Sequence, residues 1–309
     1  MSSNKKLKIL SAVIFLLLGI TLGIISAREN KARNPEDMQY RIPEITNNEF
    51  SATDINKSHS NNSFANDPVE VPQEDKDREV DENLPPDEKY YRKARVLQER
   101  YPDLFKMDQS TNKKRVALTF DDGPDGRTTP KILDILKENK ITATFFLIGQ
   151  EVKRYPHIIR RMIDEGHQIA NHSWSHLRPT LLTDSEFLAE VTSAQQALED
   201  CVDLPVPSYY RPPYGLLTPS QIEQIGEKGY VVISWSIDSL DWTGSESEEI
   251  QNKVISSVYP GAIILLHCAG GKDWRFETTK ALPRIIEILI EAGYQFAPVR
   301  KGVINMKHR

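Results

Sequence analysis

What most constrains the fold of this chain is a unit repeated between about Lys114 and Val299: a short apolar strand signal, a helix signal, then another strand. Strand signals fall at 115–120, 142–147, 167–170, 208–211, 230–235, 262–267 and 294–298. The helix signals between them have readable ends. Thr129-Pro130 reads as an N-cap followed by proline at the first helical position. Thr183-Asp184-Ser185-Glu186 and Thr218-Pro219-Ser220-Gln221 fit capping boxes. Gly166, Gly229 and Gly293 each stand where a helix stops before the next strand. Repeated β-then-α units imply an α/β protein with a parallel sheet. About seven such strands predict an incomplete (β/α) barrel. An open doubly wound sheet is the alternative that periodicity does not separate from it.

The N-terminal part reads differently. Lys5, Lys6 and Lys8 precede an uncharged 19-residue run, Ile9–Ala27, closed by Arg28. A run of about 20 apolar residues spans a bilayer core. Lysines on its N-terminal side place the rest of the chain outside the cell. A cleaved signal peptide is the rival, but Ile25 is large at the position where a small residue is preferred. Residues 28–88 hold 7 Lys/Arg against 16 Asp/Glu with sparse apolar side chains. Such a composition cannot bury enough surface to offset its ordering entropy, so a disordered acidic tether is expected. Residues 89–115 reverse the sign, with 9 basic and 3 acidic residues. Tyr90, Tyr91, Val96, Leu97, Tyr101 and Phe105 suggest a helix there that packs on the domain, and a solvated basic face is the alternative. The expected divisions are 1–27 leader and transmembrane anchor, 28–88 linker, 89–113 basic lead-in, 114–300 folded α/β domain and 301–309 tail. The net charge of −5 gives no case for nucleic-acid binding, and two cysteines are too few for a disulfide framework.

In β/α barrels the chemistry gathers at the C-terminal ends of the strands. Asp121 and Asp122 follow the first strand signal, His172 and His176 the third, and Arg211 the fourth. Asp238 and Asp241 follow the fifth, and His267 ends the sixth. Adjacent carboxylates just past a buried strand are costly unless something uses their charge, and a divalent metal would. His172 and His176 are four residues apart, which on a helical turn puts both imidazoles on one face, able to hold one metal. Two histidines and one carboxylate make a common catalytic zinc set that leaves a position for water. Arg211-Pro212-Pro213-Tyr214 is stiffened by its prolines, and Arg211 suits a forked pair of hydrogen bonds to a carboxylate. Taken singly, each feature has an ordinary reading: an acidic loop, surface histidines, a structural salt bridge, a satisfied histidine. His59, His157, His167 and His308 are assigned no role.

Five stretches occur in order: Thr119-Phe120-Asp121-Asp122-Gly123, His172-Ser173-Trp174-Ser175-His176, Arg211-Pro212-Pro213-Tyr214, Asp238-Ser239-Leu240-Asp241-Trp242 and Leu265-Leu266-His267. With them the chain resembles the NodB-homology polysaccharide deacetylases, carbohydrate esterase family 4, over about residues 114–299. It departs from the family at no key motif position. The resemblance implies a distorted (β/α) barrel and a set of roles. Asp121 would be the general base, and Asp122, His172 and His176 would hold one divalent ion, zinc or cobalt. His267 would be the general acid. Arg211 would hold Asp121, Asp241 would support the charged form of His267, and Tyr214 would offer its backbone N–H to the oxyanion. Trp242 and neighbouring aromatics would wall the acetyl methyl or the sugar ring. These roles cohere: an amide needs a nucleophile, a sink for negative charge and a proton for the leaving amine.

An outward-facing anchor and a long tether suggest a large polymer beside the membrane. For the family that points to peptidoglycan and to removal of acetyl from its N-acetylglucosamine. Chitin-like oligomers, other N-acetylglucosamine polymers, the N-acetylmuramic residue and O-acetyl esters on xylan stay open. A non-catalytic wall-binding module is the alternative from another class.

Overall fold

A computed structural model describes residues 86–109, 111–270 and 275–300. The expected anchor, nearly all of the acidic tether and the 301–309 tail lie outside the described residues. Among the described residues no helix is long and apolar enough to cross a membrane.

Nine strands form: β1 (Phe105–Lys106), β2 (Arg115–Gly123), β3 (Thr144–Leu147), β4 (Gln168–Asn171), β5 (Tyr209–Tyr210), β6 (Val231–Ile233), β7 (Ile237–Asp238), β8 (Ile263–His267) and β9 (Gln295–Phe296). All seven expected strands are present, and β1 and β7 are additions. Eight of them run β1-β6-β5-β4-β3-β2-β8-β7, and β9 pairs with β2. The pairs between these strands are parallel.

That order decides between the barrel and the flat sheet. β6 and β7 lie six strand positions apart, about 29 Å in a flat sheet. Only Ser234, Trp235 and Ser236 connect Ile233 to Ile237, and four Cα steps reach at most about 15 Å. The sheet must therefore curl until its two ends approach, giving the incomplete barrel.

Alternation along the strands builds two layers. Val116, Leu118 and Phe120 of β2, with Phe145 and Leu147 of β3, pack against helix residues such as Ile132, Leu136, Ile285 and Leu289. The intervening positions, Ala117, Phe146, Ala170, Ile233, Ile263 and Leu265, pack inside the curl. Asp121 falls on that inner set, two residues beyond Thr119. A third cluster, with Ala94, Leu97, Phe105, Ile222 and Ile225, lies under the lead-in. The lead-in is a helix over Pro86–Arg100, with Val96 facing solvent rather than the domain.

The helix ends follow the sequence with one shift. Thr183 and Thr218 form complete capping boxes. Gly166, Gly229 and Gly293 all have positive φ. In each case the next residue donates back five positions, as His167 N–H does to the Met162 carbonyl (2.9 Å). At Thr129 the cap is different from the one expected. The helix Thr129–Glu138 has Thr128 at its N-cap with no side-chain bond from it. Asp125 does the capping, its Oδ1 accepting from the N–H groups of Arg127, Thr128 and Thr129 at 2.7–3.0 Å. Cys201 and Cys268 are both free thiols.

Candidate active site

The two acids of β2 owe their placement to a bulge. Pairing of β2 with β3 shifts between Phe120 and Gly123, while pairing with β8 continues through Asp121 opposite His267. Asp122 takes φ 72°, a left-handed conformation that aspartate tolerates better than most residues. Regular alternation would send neighbouring side chains to opposite faces. With the bulge, both carboxylates approach one ring: Asp121 Oδ2 is 3.8 Å and Asp122 Oδ1 3.4 Å from His172 Nε2.

His172 and His176 do not lie on a helical turn as the spacing suggested. They sit in a loop after β4, with Ser173 and His176 at positive φ. The same two imidazoles are brought together by other means. Asn171 Oδ1 accepts from Ser173 N–H (2.9 Å), and Ser173 Oγ accepts from His176 N–H (3.0 Å). Glu190, on the helix Asp184–Val202, accepts from Trp174 N–H, Ser175 N–H and the Ser175 hydroxyl at 2.7–3.1 Å. Asn171 and Glu190 carried no motif signal, since one ends a strand and the other is a polar residue on a helix.

Asp122, His172 and His176 offer ligand atoms that all lie within 4.8 Å of one another. His176 Nε2 is 3.2 Å from Asp122 Oδ1. His172 Nδ1 is 2.7 Å from the Arg211 carbonyl oxygen, to which it donates. That bond leaves the Nε2 lone pair facing Asp122, the tautomer a metal ligand needs. Burial alone would raise the Asp122 carboxyl; the two imidazoles beside it and the nearby His267 charge outweigh that and hold the group well below the usual range. Two imidazole nitrogens and an ionised carboxylate form a donor set that fits a divalent transition metal.

Arg211 is fully buried. Its Nη1 donates to Asp121 Oδ1 (2.7 Å) and Thr119 Oγ1 (2.8 Å), its Nε to the Ile233 carbonyl and its Nη2 to the Ser234 carbonyl, both at 2.9 Å. Its guanidinium lies 3.9 Å from the Phe146 ring centroid. The expected fork onto one carboxylate is not formed; a single bond reaches Asp121 and the remaining donors hold the barrel wall.

His267, at the end of β8, donates from Nδ1 to Asp241 Oδ1 at 2.7 Å. Asp241 is fully buried, and its Oδ2 accepts from His267 N–H (2.9 Å) and the Thr278 hydroxyl (2.7 Å). Tyr214 and Trp242 are 43% and 49% exposed. Tyr214 has φ 63°, and its ring centroid is 5.0 Å from that of His176. The Trp242 indole N–H points to Asp238, 3.3 Å from both oxygens. A cleft of about 370 Å³ is lined by Asp122, Asp125, Glu151, Tyr155 and His176 among others. Every site residue singled out in the sequence thus falls at one mouth of the barrel.

A family model for polysaccharide deacetylase matches residues 108–233. A Bacillus cereus protein named peptidoglycan-N-acetylglucosamine deacetylase is 37% identical over 198 residues, 64% of this chain and 71% of that one. A Bradyrhizobium chitooligosaccharide deacetylase is 34% identical over 196 residues, 60% of this chain and 89% of that one. The crystal structure of a peptidoglycan N-acetylglucosamine deacetylase bound to an N-hydroxybenzamide derivative superposes with a TM-score of 0.61 at 34% identity. That match covers 66% of this chain and 94% of the other.

Proposed function

The chain belongs to the polysaccharide deacetylase family, and from that premise we propose that it removes acetyl from N-acetylglucosamine in peptidoglycan. The observation that carries the reading is the meeting, at one mouth, of a His-His-Asp ligand set and two flanking groups with opposite proton tasks.

Asp122, His172 and His176 would hold the metal, for which two nitrogens and one oxygen suit zinc, with cobalt the alternative. When bound, the metal supplies a Lewis acid for the acetyl carbonyl and lowers the pKa of water. Asp121 keeps Oδ1 on Arg211 and uses Oδ2 to take the proton from the attacking water. As water oxygen adds to the carbonyl carbon, the backbone N–H of Tyr214 receives the growing negative charge. The amide C–N bond then breaks, and His267 hands a proton from Nε2 to the leaving nitrogen, because Nδ1 is engaged by Asp241. Acetate and a free glucosamine amine are the products. Trp242 and Tyr214 form the walls that seat the sugar.

The 19-residue run at 9–27 and its lysine leader support a membrane-bound protein with this domain on the wall side. Fractionation checks that: the protein is expected in the membrane pellet, and recovery from the medium with Arg28 at its N-terminus would mean a cleaved signal instead. The substrate is tested by mass spectrometry of muropeptides after incubation of purified wall with the protein. Loss of one acetyl from the glucosamine is expected. Loss from muramic acid, or turnover only of chitin oligomers, would redirect the assignment.

A further inference from the structure

The helix Pro86–Arg100 reaches the active site through two adjacent tyrosines that the mechanism above does not use. Tyr90 stacks on Trp235, with ring centroids 4.5 Å apart and 12° between planes, and its hydroxyl is hydrogen-bonded to Ser234 Oγ. Ser234 is the residue whose carbonyl accepts from Arg211 Nη2, and Arg211 Nη1 holds Asp121. Tyr90 also closes on the loop of Tyr214: a Cβ at Gly215 would come within 2.6 Å of both the Tyr90 and Trp235 rings.

Tyr91 reaches the other side. Its hydroxyl accepts from Asp238 N–H at 2.9 Å. Asp238 in turn accepts from Leu240 N–H (2.9 Å) and from the Trp242 indole. Asp241, the partner of His267, lies between those two residues in a turn where Leu240 takes φ 59°. A turn with a left-handed branched residue persists only where its surroundings hold it. Packing alone would be served by the apolar face of the helix, where Ala94 and Leu97 are buried. The two hydroxyls are instead directed at the Ser234–Ser236 link between β6 and β7 and at Asp238, the last residue of β7 before the turn.

We propose that Tyr90 and Tyr91 are positioning residues for the deacetylation. Tyr90 fixes the Asp121 carboxylate through Ser234 and Arg211, and Tyr91 fixes the Asp241–Trp242 turn through Asp238. The inference rests on the deacetylase reading of the site. It makes the lead-in helix part of the catalytic unit, so that activity requires the chain from Pro86 rather than from β2.

The test uses the full chain with Tyr90→Phe, Tyr91→Phe and, as a control on the exposed face, Val96→Ala. Both tyrosine changes keep the ring and delete only the hydroxyl. The expected result is a kcat lower by about fivefold or more, with KM and bound metal within about twofold of the control. The acidic limb of the pH profile moves in Tyr90→Phe, and the alkaline limb moves in Tyr91→Phe. A helix that only packs would lower the melting temperature and leave both limbs in place. Unmoved limbs with kcat within about twofold of Val96→Ala overturn the proposal. Wild-type protein that releases no acetate refutes the deacetylase reading instead. Hydrogen–deuterium exchange over 238–242 then decides: faster exchange in Tyr91→Phe at unchanged melting temperature supports the positioning role, and unchanged exchange overturns it.

Discussion

Asp121 and His267 are register partners across β2 and β8, each the last paired residue of its strand in that ladder. The pairing is locked just beyond them, where Cys268 N–H donates to the Asp121 carbonyl at 3.0 Å. The two groups proposed for opposite proton tasks are thus set by backbone hydrogen bonds, not by loops. Their spacing is as rigid as the sheet, and mutation of one side chain should leave the other in place.

Asp121→Asn is therefore expected to keep its metal and lose turnover by about 10²–10⁴-fold, the usual worth of general-base help. His267→Ala should do the same by removing the proton donor. Steady-state kinetics with metal analysis of each variant is the check. Loss of metal in step with activity would show that Asp121 is a ligand and not a base.

A chelator should abolish acetate release, and added zinc or cobalt should restore it. His176→Ala should lower bound metal sharply, and full occupancy in that variant would remove His176 from the ligand set. Glu190→Gln tests the support of the loop. It weakens three hydrogen bonds to Trp174 and Ser175, and outer partners of this kind typically contribute 10–100-fold in metal affinity.

What the sequence disclosed, and what it hid, follows from how far each signal extends along the chain. Most strands carried alternation or an apolar run, and the acids and histidines at their ends could be placed from that alone; β5 and β9 pair over only two residues each but lie within the longer signals at 208–211 and 294–298. β1 and β7 have two residues each and fall outside every strand signal read from the sequence. The link from β6 to β7 decides the curl, yet its meaning depends on strand order, which a linear pattern does not contain. The loop from His172 to His176 defeated the spacing argument because left-handed residues at Ser173 and His176 did what a helical turn would have done. Glu190 was hidden because its partners are backbone N–H groups 15 and 16 residues away.

Asp241→Asn bears on the alkaline side of the pH profile. The carboxylate lies 2.7 Å from His267 Nδ1 and favours the protonated ring. Asparagine removes that charge while retaining an acceptor oxygen. The ring then loses its proton at lower pH, so the alkaline limb should move down. An unmoved limb would take Asp241 out of its supporting role.

His167 gives a stability prediction away from the site. It is buried at the start of β4, and its Nδ1 accepts from Ala143 N–H at 3.2 Å. Burial pushes its pKa down from 6.5 to about 4, against the smaller opposing charge of Glu165. The unfolded chain therefore binds a proton that the folded one refuses between those two values. Stability contributed by the neutral ring is complete above about pH 6.5 and is lost as pH falls toward 4. The loss is on the order of 2 kcal/mol. Urea unfolding at pH 7 and at pH 4.5 should show a smaller acid penalty for His167→Gln than for wild type. An equal penalty would mean that another group carries the dependence.

Arg211→Lys is the most informative single change, because Arg211 joins the two halves of the site. Its guanidinium holds Asp121, while its carbonyl oxygen fixes the tautomer of His172. Lysine keeps the charge and the main-chain carbonyl but loses the planar set of donors. One ammonium cannot reach Asp121, Thr119 and the carbonyls of Ile233 and Ser234 together. At least one buried acceptor is then stranded, at a cost of about 1–3 kcal/mol. The stack on Phe146 is lost as well. The variant should melt lower and turn over at least about tenfold more slowly, yet bind metal nearly as well, because the carbonyl that orients His172 is main chain. Metal loss equal to that of His176→Ala would show that the guanidinium supports the ligand loop as well as the base. Unchanged kcat would show that Asp121 keeps its place without the Arg211 bond.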